Sequence, residues 1–101
     1  MARRFTELID RQLDLFEQDD AEFLARVDEA ERAYDRAPRE DAEEAYGRFQ
    51  ELVEHGTEAL AELRDAYAAT LDFDAADEYV AEFNRRIAER LPRFALEIED
   101  L

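Results

Sequence analysis

The sequence predicts an all-α protein: a long antiparallel helical hairpin with a shorter third helix packed at its open end, a three-helix bundle or coiled-coil-like arrangement. Three observations predict it. The 101 residues contain only two glycines and two prolines, too few turn formers for a strand-rich fold. Alanine, leucine, glutamate and arginine, the strong helix formers, dominate the composition. Larger apolar residues also recur at alternating spacings of four and three through two long stretches, the period of one helix face.

The first seam reads Ile9, Leu13, Phe16, Asp20, Phe23, Val27, Ala30, Tyr34 and Ala37 without a slip, so one continuous helix is expected over about 3–36. Asp20 is its polar member. Asp19 and Glu22 have the form of a capping box, which would break or kink the helix there. Ala37-Pro38 ends the helix, because proline drives its predecessor into extended geometry. Pro38 and the acids after it then suit the first turn of the next helix.

The second seam, Ala42, Tyr46, Phe49, Val53, Gly56, Leu60, Leu63, Tyr67 and Thr70, places helix two at about 39–71. Folding the chain at residues 39–40 sets Tyr34 opposite Tyr46, Ala30 opposite Phe49, Phe23 opposite Gly56, Phe16 opposite Leu63 and Leu13 opposite Tyr67. Small residues then face large ones, as a packed core requires, and Gly56 gains a packing purpose against its helix cost of about 1 kcal/mol relative to alanine. Gly47 is read the same way. Asp72 or Asp74 is the candidate N-cap of a third helix over about 74–91, with the stripe Ala76, Val80, Phe83, Ile87 and Leu91. Phe5, Leu8 and Leu15 form an extra flank on the first helix beside Ile9 and Phe16, near the open end that the third helix covers. Pro92 ends that helix, and residues 92–101 are a C-terminal tail or short helical extension of a single helical domain.

At the closed end two helices alone must cover Tyr34, Tyr46, Phe49 and Leu52, and a two-helix contact leaves one side of such a seam open. These four, with Phe94 and Ile98 of the tail, are candidate interface residues, and self-association is expected, a dimer first. A tail folded back over this region is the alternative. Asp20 is a candidate specificity residue, a polar group in the seam that fixes register or partner at a cost in stability, with Arg64 and Arg11 as candidate ion-pair partners.

There are 29 acidic and 13 basic residues, a net charge of −16. All the basic residues are arginine; lysine, serine, cysteine and tryptophan are absent. This balance argues against direct binding of nucleic-acid backbones, which need cationic side chains, and against an anionic membrane surface. Without cysteine there is no disulfide or thiolate metal site. The first residues form neither a signal peptide nor a membrane span, so a cytoplasmic location is expected. An acid-rich, lysine-free surface fits a salt-rich cytoplasm, where self-repulsion is screened; imitation of nucleic acid is the other reading of the charge.

Catalytic chemistry finds little material. Glu40-Asp41-x-x-Glu44 and Glu62-x-x-Asp65 are similar in form to the magnesium motif of all-α nucleotide pyrophosphohydrolases, but on one helix residues 44 and 62 stand about 27 Å apart, beyond any shared ion. His55, the sole imidazole, is flanked by Glu51 and Glu58 as a weak surface metal candidate. Its Glu-x-x-x-His spacing resembles carboxylate-bridged di-iron helices, which need Glu-x-x-His facing inward; here Leu52 stands three before His55, and the phase turns the histidine outward. Thr6, Thr57 and Thr70 have no histidine base near them by spacing. A hairpin of the secreted export-substrate type would carry Trp-x-Gly at the turn, where this chain has Ala37-Pro38-Arg39.

The expectation is therefore a non-enzymatic acidic interaction protein without cofactors, a homo-oligomeric adaptor, scaffold or regulator. An acidic decoy for a DNA- or RNA-binding protein is the alternative, diluted by Arg26, Arg32, Arg36 and Arg48. A metal-dependent all-α or ferritin-like protein, assembled only in an oligomer, is the minor one.

Overall fold

The computed structural model describes residues 4–101, so the expected helix start at residue 3 lies outside the described residues. The chain is an all-α bundle 51 Å long and about 25 Å across. Helix α1 is Thr6–Asp19, α2 Ala21–Arg36, α3 Ala42–Ala68, α4 Phe73–Arg90 and α5 Ala95–Ile98. Single 3-10 turns, Arg39–Asp41 and Pro92–Phe94, lead into α3 and α5. No strand occurs among the described residues.

The expected helix over 3–36 is two helices. Asp20, at φ −108° and ψ 24°, leaves the helical region for one residue, with no side-chain cap on either side of the break. Its N–H still donates to the Phe16 carbonyl and its own carbonyl accepts from Leu24, both at 2.9 Å, so the chain bends without losing its course. Restarting the helix puts Asp20 and Glu22 at an N-terminus, where the helix dipole favours acids, while Glu17 and Asp19 are left in the last turn of α1, where it does not.

The bend decides what α1 touches. Helix α2 pairs with α3 in the expected register: the rings of Tyr34 and Tyr46 lie 5.2 Å apart, and Phe23 lies over Gly56. Helix α1 leans away, and none of its Cα atoms comes within 8 Å of one in α3. It packs on α4 instead, so the expected close pairing of Leu13 with Tyr67 gives way to a core in which Ile9, Leu13 and Phe16 are buried with Tyr79, Phe83 and Ile87. The Tyr79 hydroxyl donates to Gln12 Oε1 at 2.7 Å, and the Phe5 N–H donates to the buried Glu82 carboxylate at 2.9 Å. Leu15, expected in the flank, is exposed.

Helix α4 begins as expected, with Asp72 accepting from the Ala75 N–H at 2.9 Å, and its buried face is centred on Tyr79, Phe83 and Ile87. Pro92 stops it. The chain then reverses over the α2–α3 seam, and Phe94 and Ile98 are buried, 1% and 0% exposed. A Cβ on Gly56 would stand 2.9 Å from Phe94 Cζ and 3.1 Å from Phe23 Cε2. Two phenylalanines therefore share the notch that Gly56 leaves open. Gly47 has nothing within 4 Å of its Cβ position, so close packing does not explain it.

Candidate functional site: an apolar groove beside the C-terminal turn

The return of the tail builds a groove along α3. Two polar anchors fix the tail in place. Arg64, 3% exposed, donates from Nη1 to the Ile98 carbonyl and to Asn84 Oδ1, each at 2.9 Å, and from Nε to Asp65 at 2.8 Å. Arg93 reaches back to α2, donating to Asp28 at 2.7 Å and Glu31 at 3.1 Å. Arg64 thus pairs with Asp65, and the expected Asp20–Arg64 pair does not form. Neither Asp20 nor Arg11 enters an ion pair among the described residues; Asp20 stands half-buried at the bend.

The groove encloses about 270 Å³. Tyr46, Phe49 and Val53 form its α3 wall, with Gln50 and Thr57 beside them, and Arg93, Leu96 and Glu97 form the wall given by the tail. Leu96 is 90% exposed at the rim and Tyr46 45%. Tyr34, 38% exposed, continues the apolar surface toward the closed end of the hairpin.

Of the expected interface residues, Tyr34 and Tyr46 are exposed, Phe49 and Leu52 are half-buried, and Phe94 and Ile98 are core. The reason is spacing: residues 94 and 98, four apart, share one face of a helical turn, and that face seals the seam. Leu96 takes the opposite face. The same spacing, read from the sequence with the tail as a helical turn, points to Leu96 as the exposed member.

Ion pairs join α4 to α1. Arg90 reaches Asp14 at 2.9 Å and Glu17 at 2.8 Å, and Arg86 reaches Asp10 at 2.7 Å and also pairs with Glu89. Asp10, hydrogen-bonded to the Arg86 guanidinium, pushes its pKa further up. Arg86 and Arg90, four apart, meet an acidic stripe of α1, Asp10, Asp14 and Glu17, while Arg93, three further on, meets Asp28 and Glu31 of α2. These arginines join the two ends of the sequence and are committed to doing so.

The weak metal candidates Glu51, His55 and Glu58 are all exposed on α3. The His55 ring lies 5.3 Å from that of Phe23. No group of three or more histidines, cysteines or carboxylates among the described residues is placed to hold a metal ion. The hydroxyls of Thr57 and Thr70 donate to the carbonyls of Val53, at 2.8 Å, and Tyr67, at 2.7 Å. No helix is long and apolar enough to cross a membrane among the described residues. No family model, curated protein or solved structure matches the chain.

Proposed function

We propose that this is a non-enzymatic interaction protein, an adaptor or regulator that works through protein–protein contacts at the groove between Tyr46 and Leu96. The observation that carries this reading is Leu96 and Tyr46 standing exposed on the two rims of an apolar groove, on a chain of net charge −16. Apolar surface held open in that way gains about 25 cal/mol per Å² when a partner covers it, and contiguous patches of this kind mark contact sites. The chain also meets itself in this reading, as a dimer through the exposed Tyr34 at the closed end, beyond the groove, inside a salt-rich cytoplasm.

Affinity capture from native lysate, with the wild-type chain beside a Tyr46→Ser/Leu96→Ser double variant, tests the groove. Proteins held by the first and lost from the second support it; identical sets sink it. Light scattering at low and high KCl tests the dimer, which Tyr34→Ser should weaken. A decoy for a nucleic-acid-binding protein is the second reading, favoured by the exposed line Glu51, Glu54, Glu58 and Glu62 along α3. Its binding would fall steeply with salt and ignore changes at Tyr46 and Leu96.

A further inference from the structure

We infer that the occupant of the groove is a basic amphipathic helix: a segment of a partner protein with apolar side chains on one face and arginine or lysine around them. The inference rests on the groove being a docking site and names what fills it. Length comes first. Tyr46 to Thr57 covers about 16 Å of α3, and helix anchors at i, i+4 and i+7 span about 10 Å. The groove therefore takes two to three turns of helix, with room in its 270 Å³ for the anchor side chains between Phe49, Val53 and Leu96.

Charge then selects the helix. Glu97 lines the groove. Glu43 and Glu54 are exposed on the α3 stripe that also carries Tyr46, Gln50 and Thr57, since positions three and four apart share a face. None of these three carboxylates is in an ion pair among the described residues. The one guanidinium in the groove, Arg93, is held by Asp28 and Glu31. An incoming segment meets an apolar floor framed by unneutralised carboxylates. A second copy of this chain would bring another −16 against that rim, and like charges opposed across an interface are costly. Cationic side chains around an apolar stripe satisfy rim and floor together, and the acidic field speeds their arrival.

The test is fluorescence anisotropy with the full chain and a dye-labelled peptide of about 18 residues, leucine at the i, i+4, i+7 and i+11 positions and arginine at most others. Two control peptides replace every arginine by glutamate, or every leucine by serine. The basic apolar peptide should bind at least about tenfold tighter than either control. Leu96→Ser should weaken it about tenfold, Leu15→Ser should leave it unchanged, and Glu54→Gln/Glu97→Gln should weaken it and flatten its salt dependence. Circular dichroism checks that each variant is folded, and the exposure of Leu96 makes its substitution safe for the core. Equal binding of the serine control would mean simple attraction between opposite charges and would overturn the proposal. A dimer that Leu96→Ser dissolves would overturn it in favour of a second copy, with the docking reading intact. No peptide binding and no association dependent on Leu96 would remove both.

Discussion

Gly56 and Gly47 lie on the same helix and differ only in what surrounds them, so the same substitution should act with opposite signs. Alanine at Gly56 gains about 1 kcal/mol of helix propensity but drives a methyl into the Phe94 ring, 2.9 Å from Cζ, and Phe94 is walled in on every side. Overpacking a filled core costs about 1–3 kcal/mol, so Gly56→Ala should lower unfolding stability by up to about 2 kcal/mol in urea titrations. Gly47→Ala meets open space and should raise it by about 0.5–1 kcal/mol. Tyr79 gives a residue-scale prediction in pH. Its burial pushes the phenol up to about 12 from 10.0. A folded-state pKa above the unfolded one means that the contribution is complete below pH 10 and is lost as pH rises toward 12, because the unfolded chain gives up its proton first. Ultraviolet titration should show one of the four tyrosines ionising last, near pH 12. In Tyr79→Phe that late step should vanish, together with part of the alkaline loss of stability.

At the scale of elements, the bend at Asp20 turns a two-helix seam into two different pairings. It leaves a cleft of about 320 Å³ between α1 and α3, where Asp20 stands beside Phe16, Ala59 and Leu63. Asp20 has no ion pair and no side-chain cap hydrogen bond to lose, and its neighbours there are largely apolar. Asp20→Leu should therefore stabilise the protein by about 0.5–1.5 kcal/mol through apolar burial; a loss of stability would show that the carboxylate makes a needed contact. The two halves of the seam also show how far the sequence could be read. The period located α3, α4 and the end of α2 to within a few residues and put Tyr34 against Tyr46, because a hairpin with a short turn has one register. It carried the seam straight through Asp20, because a one-residue bend leaves the four-three phase intact and periodicity does not register direction. The groove was half legible. Tyr46 and Phe49 followed from having too few helices at the closed end, but the opposite wall depends on where Pro92 sends the chain, a long-range choice settled by Phe94 finding Gly56. Arg64 and Arg93 then hold that choice with hydrogen bonds to Ile98, Asp28 and Glu31.

The molecule as a whole is a rod 51 Å long that carries a net charge of −16, and the distribution of that charge sets its response to salt. Arg86, Arg90 and Arg93 are used on contacts between α4, the tail and the first two helices, so they neutralise acids along one seam. Elsewhere, carboxylates such as Glu51, Glu54, Glu58 and Glu62 stand exposed along the rod and repel one another through solvent. Added salt shortens the screening length from about 10 Å at 0.1 M to about 3 Å at 1 M. The long-range repulsion between exposed acids is then nearly abolished, while the arginine pairs, at 2.7 to 2.9 Å and partly sheltered, are weakened less. The balance favours the folded rod. Thermal melts followed by circular dichroism should rise between about 0.1 and about 2 M KCl. Most of the gain should come below about 1 M, where the screening length changes most. Arg93→Gln separates the two contributions: it removes an attraction between the tail and α2, so its melting temperature should fall most relative to wild type at low salt, where that attraction is least screened. A melting temperature that falls with KCl in the wild-type chain would mean that paired charges outweigh repelling ones, and would reverse the reading of this surface as one suited to a salt-rich interior.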